Sequence, residues 1–136
     1  MIVKHSHSCV YVLDQDRAKD FYTNKLGFEV RDDVNMGSFR WLTVAPKTQP
    51  DACIILMALE SSPMLDRESV EAIRKLLAKG ALSGGVLNVD DCRRTYEELE
   101  AKGVEFLSKP KEMPYGIEAV LRDDSGNFYS MTERRR

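Results

Sequence analysis

Cysteine, histidine and tryptophan are all scarce in this 136-residue chain, which holds three Cys, two His and one Trp. The cysteines, Cys9, Cys53 and Cys92, are odd in number, widely spaced and form no CxxC pair. That excludes a disulfide framework and fits a reducing compartment. No apolar run approaches the roughly 20 residues of a membrane-spanning helix. The N-terminal MIVKHSHSCVYV lacks the basic flank, long apolar block and small-residue cleavage site of a signal peptide. A cytoplasmic location is expected. An excess of charge of one sign is missing too: 20 basic and 22 acidic residues leave a net charge of −2. Such a balance sets up no field to attract nucleic acid or an anionic membrane, so neither is expected as a partner. The terminal Arg134, Arg135 and Arg136 read as a short solvated tail. A Gly-rich phosphate loop, an HExxH helix and a nucleophile elbow are absent, which sets aside kinase, metalloprotease and esterase chemistry.

What is present is ordinary globular composition, 43% hydrophobic and 31% charged. Residues 5–13 (HSHSCVYVL) read as a strand, rich in β-branched and aromatic side chains. Asp14 and Asp16 offer caps for a helix with Ala18, Phe21, Tyr22 and Leu26 at helical spacing, stopped by Gly27. Strands follow at 28–34, 39–45 and 52–59. Asp66 caps a linker helix whose apolar stripe is Val70, Ile73, Leu76 and Leu77, ended by Lys79-Gly80. A strand opens at Gly84-Gly85 and runs to Val89, and Asp91 caps another helix that Gly103 stops. A short strand at 104–107 precedes a loop bounded by Pro110, Pro114 and Gly116. Strands at 117–122 and 128–133 flank a turn at 123–127.

The order is β-α-β-β-β, helix, β-α-β-β-β, an internal repeat. VYVLDQDRAKDFYTNKLGFEV and VLNVDDCRRTYEELEAKGVEF each run apolar strand, Asp cap, helix, Gly stop, apolar strand. Asp14 matches Asp91 and Gly27 matches Gly103, with a drift of one residue inside the helix. The expected organisation is one domain, with a first module at 1–62, a linker helix at 63–82 and a second module at 83–136.

The stretch H-S-C-V-Y-V-L-D-x-D-R-A-x-x-F-Y-x-x-x-L-G-F resembles the vicinal oxygen chelate superfamily, which holds glyoxalase I, bleomycin-resistance proteins and extradiol dioxygenases. The closing R-D-D-S-G-N-F-Y-S-M-T-E is similar to that group's D-P-x-G-N hairpin, with Asp124 where Pro usually stands. The resemblance implies an α+β fold: two tandem βαβββ modules forming a paired, curved mixed sheet around a cleft. It also implies a homodimer. Metal-dependent members place four ligands in the cleft, and carried over position by position these fall on His7, Ile55, Gly84 and Ser130. Only His7 is a conventional ligand. A divalent ion needs three or four N or O donors, so no metal cofactor is expected. A rearranged site using His5, His7, Glu118 and Glu133, with Zn, Ni or Fe, is the alternative. It would serve a metal-dependent lyase, isomerase or dioxygenase.

Strand alternation from His7 puts Cys9 and Tyr11 on the same face. The same parity selects Ile55 and Met57, Val86 and Asn88, and Phe128, Ser130 and Thr132. Tyr115 belongs at the mouth, and Trp41 is available to stack on a planar ligand. The expected ligand-binding set is therefore His7, Cys9, Tyr11, Trp41, Ile55, Met57, Asn88, Tyr115, Phe128 and Ser130. These side chains make an apolar and aromatic lining with a few polar fixed points, the usual make-up of a small-molecule site. The expected function is metal-free binding of a small, partly apolar or aromatic molecule, without a requirement for catalysis. His7 as a general base is chemically allowed, but nothing in the sequence requires it.

Overall fold

A computed structural model describes residues 1–135. The elements run β1 (His7–Val12), α1 (Gln15–Asp20) with a π-helical continuation (Phe21–Lys25), β2 (Glu29–Met36), β3 (Phe39–Ala45) and β4 (Cys53–Ala58). They continue with α2 (Arg67–Lys79), β5 (Ser83–Asn88), α3 (Cys92–Ala101), β6 (Phe106–Met113), β7 (Gly116–Arg122) and β8 (Phe128–Arg134). The strands form two four-stranded mixed sheets of identical topology, ordered β1-β4-β3-β2 and β5-β8-β7-β6. In each, the first strand pairs parallel with the last and the remaining pairings are antiparallel. This is an α+β fold of two open-sheet βαβββ modules. The chain divides into two compact units, 1–75 and 76–136, with the boundary inside α2.

The repeated cap is a physical repeat. Asp14 Oδ1 accepts from the Arg17 amide at 3.0 Å, and Asp91 Oδ1 accepts from the Arg94 amide at 3.0 Å. Each satisfies one of the orphan donors of a helix N-terminus. Both helices stop at a glycine in the left-handed region, Gly27 at φ 77° and Gly103 at φ 88°. The extra residue of the first helix is absorbed by the π-helical turn, where the Leu26 amide reaches back to the Phe21 carbonyl at 3.1 Å. The first helix thus reaches the same glycine stop despite its extra residue. Helix α2 is capped by Asp66, whose Oδ1 accepts from the Ser69 amide at 2.7 Å. It closes through Gly80, with the Ala81 amide bonded to Leu76 O and the Gly80 amide to Leu77 O, both at 3.0 Å.

In the first unit, Val10, Val12, Leu42, Val44 and Leu56 are buried with Ala18, Phe21 and Tyr22 of the helix. Tyr22 packs edge-on to Phe21 and Phe28 at 5.6 and 5.7 Å between centroids. In the second, Ala119, Leu121, Tyr129 and Met131 are buried with Cys92 and Leu99 of α3. Each sheet therefore has one helix-covered face and one open face.

Two expectations need correction. The segment after Leu107 is a strand as far as Met113, not a loop. β6 is the edge of its sheet, and its register shifts between Ser108 and Lys111, so Pro110 sits where its missing N–H costs no ladder bond. Arg134 and Arg135 are exposed, as expected, but they are not a free tail. Arg134 ends β8 and Arg135 donates to the Met113 carbonyl at 3.2 Å. Arg136 lies outside the described residues.

Candidate functional site

On the first sheet, pairing puts Cys9 opposite Ile55, Tyr11 opposite Met57 and Thr43 opposite Ile55. Because Val10, Val12 and Leu56 are buried under the helix, alternation turns His7, Cys9, Tyr11, Ile55 and Met57 to the open face. Trp41 joins them, its ring centroid 5.4 Å from that of His7 with the planes at 52°. The Ser6 hydroxyl lies 2.7 Å from His7 Nδ1. Cys9 is exposed, yet partial desolvation pushes its thiol up from the ordinary value, so it is not an activated nucleophile. A cavity of about 340 Å³ opens at one end of this face, lined by Tyr11, Met57, Phe39 and the Ser62–Leu65 segment among others.

On the second sheet the open face carries Val86 and Asn88 of β5, Glu118 and Val120 of β7, and Phe128, Ser130 and Thr132 of β8. Val86 stands opposite Ser130, Asn88 opposite Thr132 and Glu118 opposite Thr132. A cavity of about 470 Å³ lies here, lined by Val86, Asn88, Tyr115, Glu118, Ser130 and Thr132, with Arg134 and Arg135 at its edge. Its polar groups are connected. Ser130 Oγ donates to Glu118 Oε2 at 2.5 Å and lies 2.9 Å from Thr132 Oγ1. Interaction with the Glu118 carboxylate also raises the Tyr115 phenol above its ordinary value. Asn88, Tyr115 and Ser130 are thus brought together in one cavity, and Tyr11 and Met57 in the other. His7, Cys9, Trp41, Ile55 and Phe128 share the open faces without lining either of these two cavities.

The metal-ligand alternative does not assemble. Glu133 Oε1 accepts from the Cys92 amide at 2.9 Å, at the N-terminus of α3 on the helix-covered face. Glu118 bonds Ser130 on the open face, so these two carboxylates lie on opposite sides of one sheet. His5 is exposed and precedes β1. At the family's ligand positions the fit is no better. Gly84 lies where the β5 register shifts, and a Cβ there would sit 2.3 Å from the Tyr129 ring on the helix-covered side. No side chain at that position reaches Ser130. Among the described residues, no three His, Cys, Asp or Glu side chains come together to hold an ion.

Sequence reasoning missed the central place of Glu118 and the arginines at the cavity edge. The parity that selects Ser130 and Thr132 also selects Arg134, so that signal was legible. Glu118 becomes visible only once the β7–β8 register is known.

The model of the Glyoxalase/Bleomycin resistance protein/Dioxygenase superfamily matches residues 4–130. An uncharacterized protein of Bacillus subtilis (strain 168), YurT, is 34% identical over 125 residues, covering 92% of this chain and 94% of YurT. The crystal structure of UcmS2 has a TM-score of 0.91 at 48% identity, covering 98% of this chain and 99% of that one. That of TnmS3, described as an antibiotic binding protein from Streptomyces sp. CB03234, has a TM-score of 0.77 at 30% identity and covers 99% of both chains.

Proposed function

Because the chain belongs to the glyoxalase/bleomycin resistance protein/dioxygenase superfamily, we propose that it binds a small, partly apolar or aromatic molecule on its open sheet faces, without metal and without transforming it. The observation that carries this is the cavity of about 470 Å³ on the second sheet, with an apolar wall at Val86 and fixed polar points at Asn88, Glu118 and Ser130. Its size falls within the roughly 300–1,000 Å³ of small-molecule sites. Val86 is 66% exposed, an apolar surface that a ligand would cover. On the first sheet, Trp41 and His7 add an aromatic pair against which a planar molecule can pack. The description of TnmS3 as an antibiotic binding protein supports the same class of ligand.

The metal-free part rests on donor chemistry. His7, Ile55, Gly84 and Ser130 supply one imidazole and one hydroxyl, and that hydroxyl is already bonded to Glu118. A metal-dependent lyase, isomerase or dioxygenase is the weaker reading, since Glu118 and Glu133 lie on opposite faces of their sheet. A homodimer is part of the proposal, and sedimentation at micromolar concentration checks it.

The test is a thermal-shift screen of aromatic antibiotics, followed by calorimetry and by mass spectrometry of the recovered compound. A true ligand at about 100 times its Kd raises stability by about 2.7 kcal/mol and is recovered unchanged. Val86→Trp, at an exposed position that tolerates the change, fills the cavity and abolishes the shift. A panel without any shift, or a chemically altered compound, overturns the reading.

A further inference from the structure

The hydroxyl protons of the second-sheet cavity can be counted. A serine hydroxyl has one proton and accepts at its lone pairs. Ser130 commits its proton to Glu118 Oε2, so the 2.9 Å contact between Ser130 and Thr132 must be filled by the proton of Thr132. The Tyr115 hydroxyl lines the same cavity, and toward a carboxylate it can act only as donor. The protons of Thr132 and Ser130 therefore run along one chain that ends on Glu118. What these groups leave facing the cavity is acceptors: the remaining lone pairs of the carboxylate, the Tyr115 oxygen and Thr132 Oγ1. A ligand carbonyl or ether placed against these groups would meet lone pairs; the donors of the cavity, the Asn88 amide and the Arg134 and Arg135 guanidiniums, lie on β5 and at the edge. A ligand ammonium would meet the carboxylate, but also the guanidiniums of Arg134 and Arg135 at the edge of the same cavity. A neutral hydroxyl meets neither objection.

We infer that this cavity selects apolar molecules carrying a neutral hydroxyl, a phenol above all, whose proton is donated to the Glu118 carboxylate. The inference rests on the binding function proposed above and adds the class of ligand. The floor of the cavity, with Thr132 buried, accepts, while the exposed Arg134 and Arg135 at the rim donate. The selected ligand thus presents its hydroxyl to the floor and any carbonyl oxygen to the rim. Glu118 is the residue that determines specificity.

The test compares three probes of one shape by calorimetry at neutral pH: naphthol, its methyl ether and naphthylmethylammonium. Naphthol is expected to bind about tenfold or more tighter than the methyl ether, as for a hydrogen bond to a charged acceptor, and the ammonium weakest. Glu118→Gln, which keeps shape and removes charge, collapses the difference between naphthol and ether. Should that variant not fold, the wild-type complex still decides. The absorption band of bound naphthol moves to longer wavelength when its hydroxyl donates to a carboxylate, and an unmoved band overturns the inference. Equal affinity for naphthol and ether also overturns it but leaves the binding function standing. Failure of all three probes to bind counts against both.

Discussion

Replacing Asp123 with alanine removes four hydrogen bonds at the turn that joins β7 to β8. Asp123 Oδ1 accepts from the amides of Ser125, Gly126 and Asn127 at 2.9, 2.8 and 2.9 Å, and Oδ2 accepts from Asn127 Nδ2 at 3.0 Å. The turn is buried: Asp123 is 6% exposed and Asn127 2%. In Asp123→Ala the amides of Ser125 and Asn127 lose the carboxylate as acceptor, each at a cost of about 1–3 kcal/mol if they stay dry, and Gly126 keeps only its longer 3.3 Å bond to the residue 123 carbonyl. The Oδ2 bond is lost with them. Water that enters the void recovers part of this, so the expected loss is about 4 kcal/mol. Asp123→Asn keeps one acceptor oxygen but loses the charge and sets two amide NH₂ groups against each other, for about 2 kcal/mol. Urea denaturation at neutral pH measures both. Domains of this kind are stable by about 5–15 kcal/mol, so the alanine variant remains folded but close to its limit. The same turn sets the register that places Glu118 beside Ser130, so Asp123→Ala also weakens ligand binding. A loss below about 1 kcal/mol for alanine would refute the claim that this carboxylate organises the turn.

Gly84→Ala is expected to cost about 1–3 kcal/mol through overpacking, because its Cβ would lie 2.3 Å from Tyr129. Gly84→His creates no zinc site, which calorimetric titration with zinc checks. Asp33 is bonded by Arg40 and Lys19, and these cations hold its carboxyl far below the usual carboxylate range. The unfolded value is about 3.9, so the stabilisation is complete above that pH and declines as the pH falls toward the lowered folded value. The stability gap between wild type and Asp33→Asn should be flat from neutral pH to about pH 4 and narrow below it; a gap that closes well above that range contradicts the pairing. Cys9, though exposed, should alkylate at neutral pH more slowly than a free thiol, since burial raises its thiol above the ordinary value. Peptide mapping after timed iodoacetamide treatment reads this, and faster alkylation than free cysteine would contradict it.

The modules were legible because each carries its own local punctuation. Asp14 and Asp91 bind amides within the next helical turn, and Gly27 and Gly103 adopt a conformation other residues avoid. Such signals act over a few residues and need no knowledge of the rest of the chain. Strand alternation carried the open-face residues in the same way, from Val10 and Val12 inward to His7, Cys9 and Tyr11 outward. The π-helical turn was visible only as a one-residue drift, because the sequence marks the extra residue and not the hydrogen bond that absorbs it. The extension of β6 through Pro110 was hidden, since a proline reads as a strand breaker unless the strand is known to be an edge. The Glu118–Ser130–Thr132 chain was hidden for a related reason. It joins β7 to β8, and long-range register is fixed by the buried turn at Asp123 rather than by either strand alone.

The most direct test of metal-free binding on the open faces is a calorimetric titration of the aromatic ligand from the screen. It is run once on protein stripped with a chelator and once on protein supplied with zinc, nickel and iron. Recognition by the sheet's own side chains predicts saturable binding with the same affinity in both. Binding that disappears on stripping, returns with an added divalent ion and is lost in His7→Ala would contradict it.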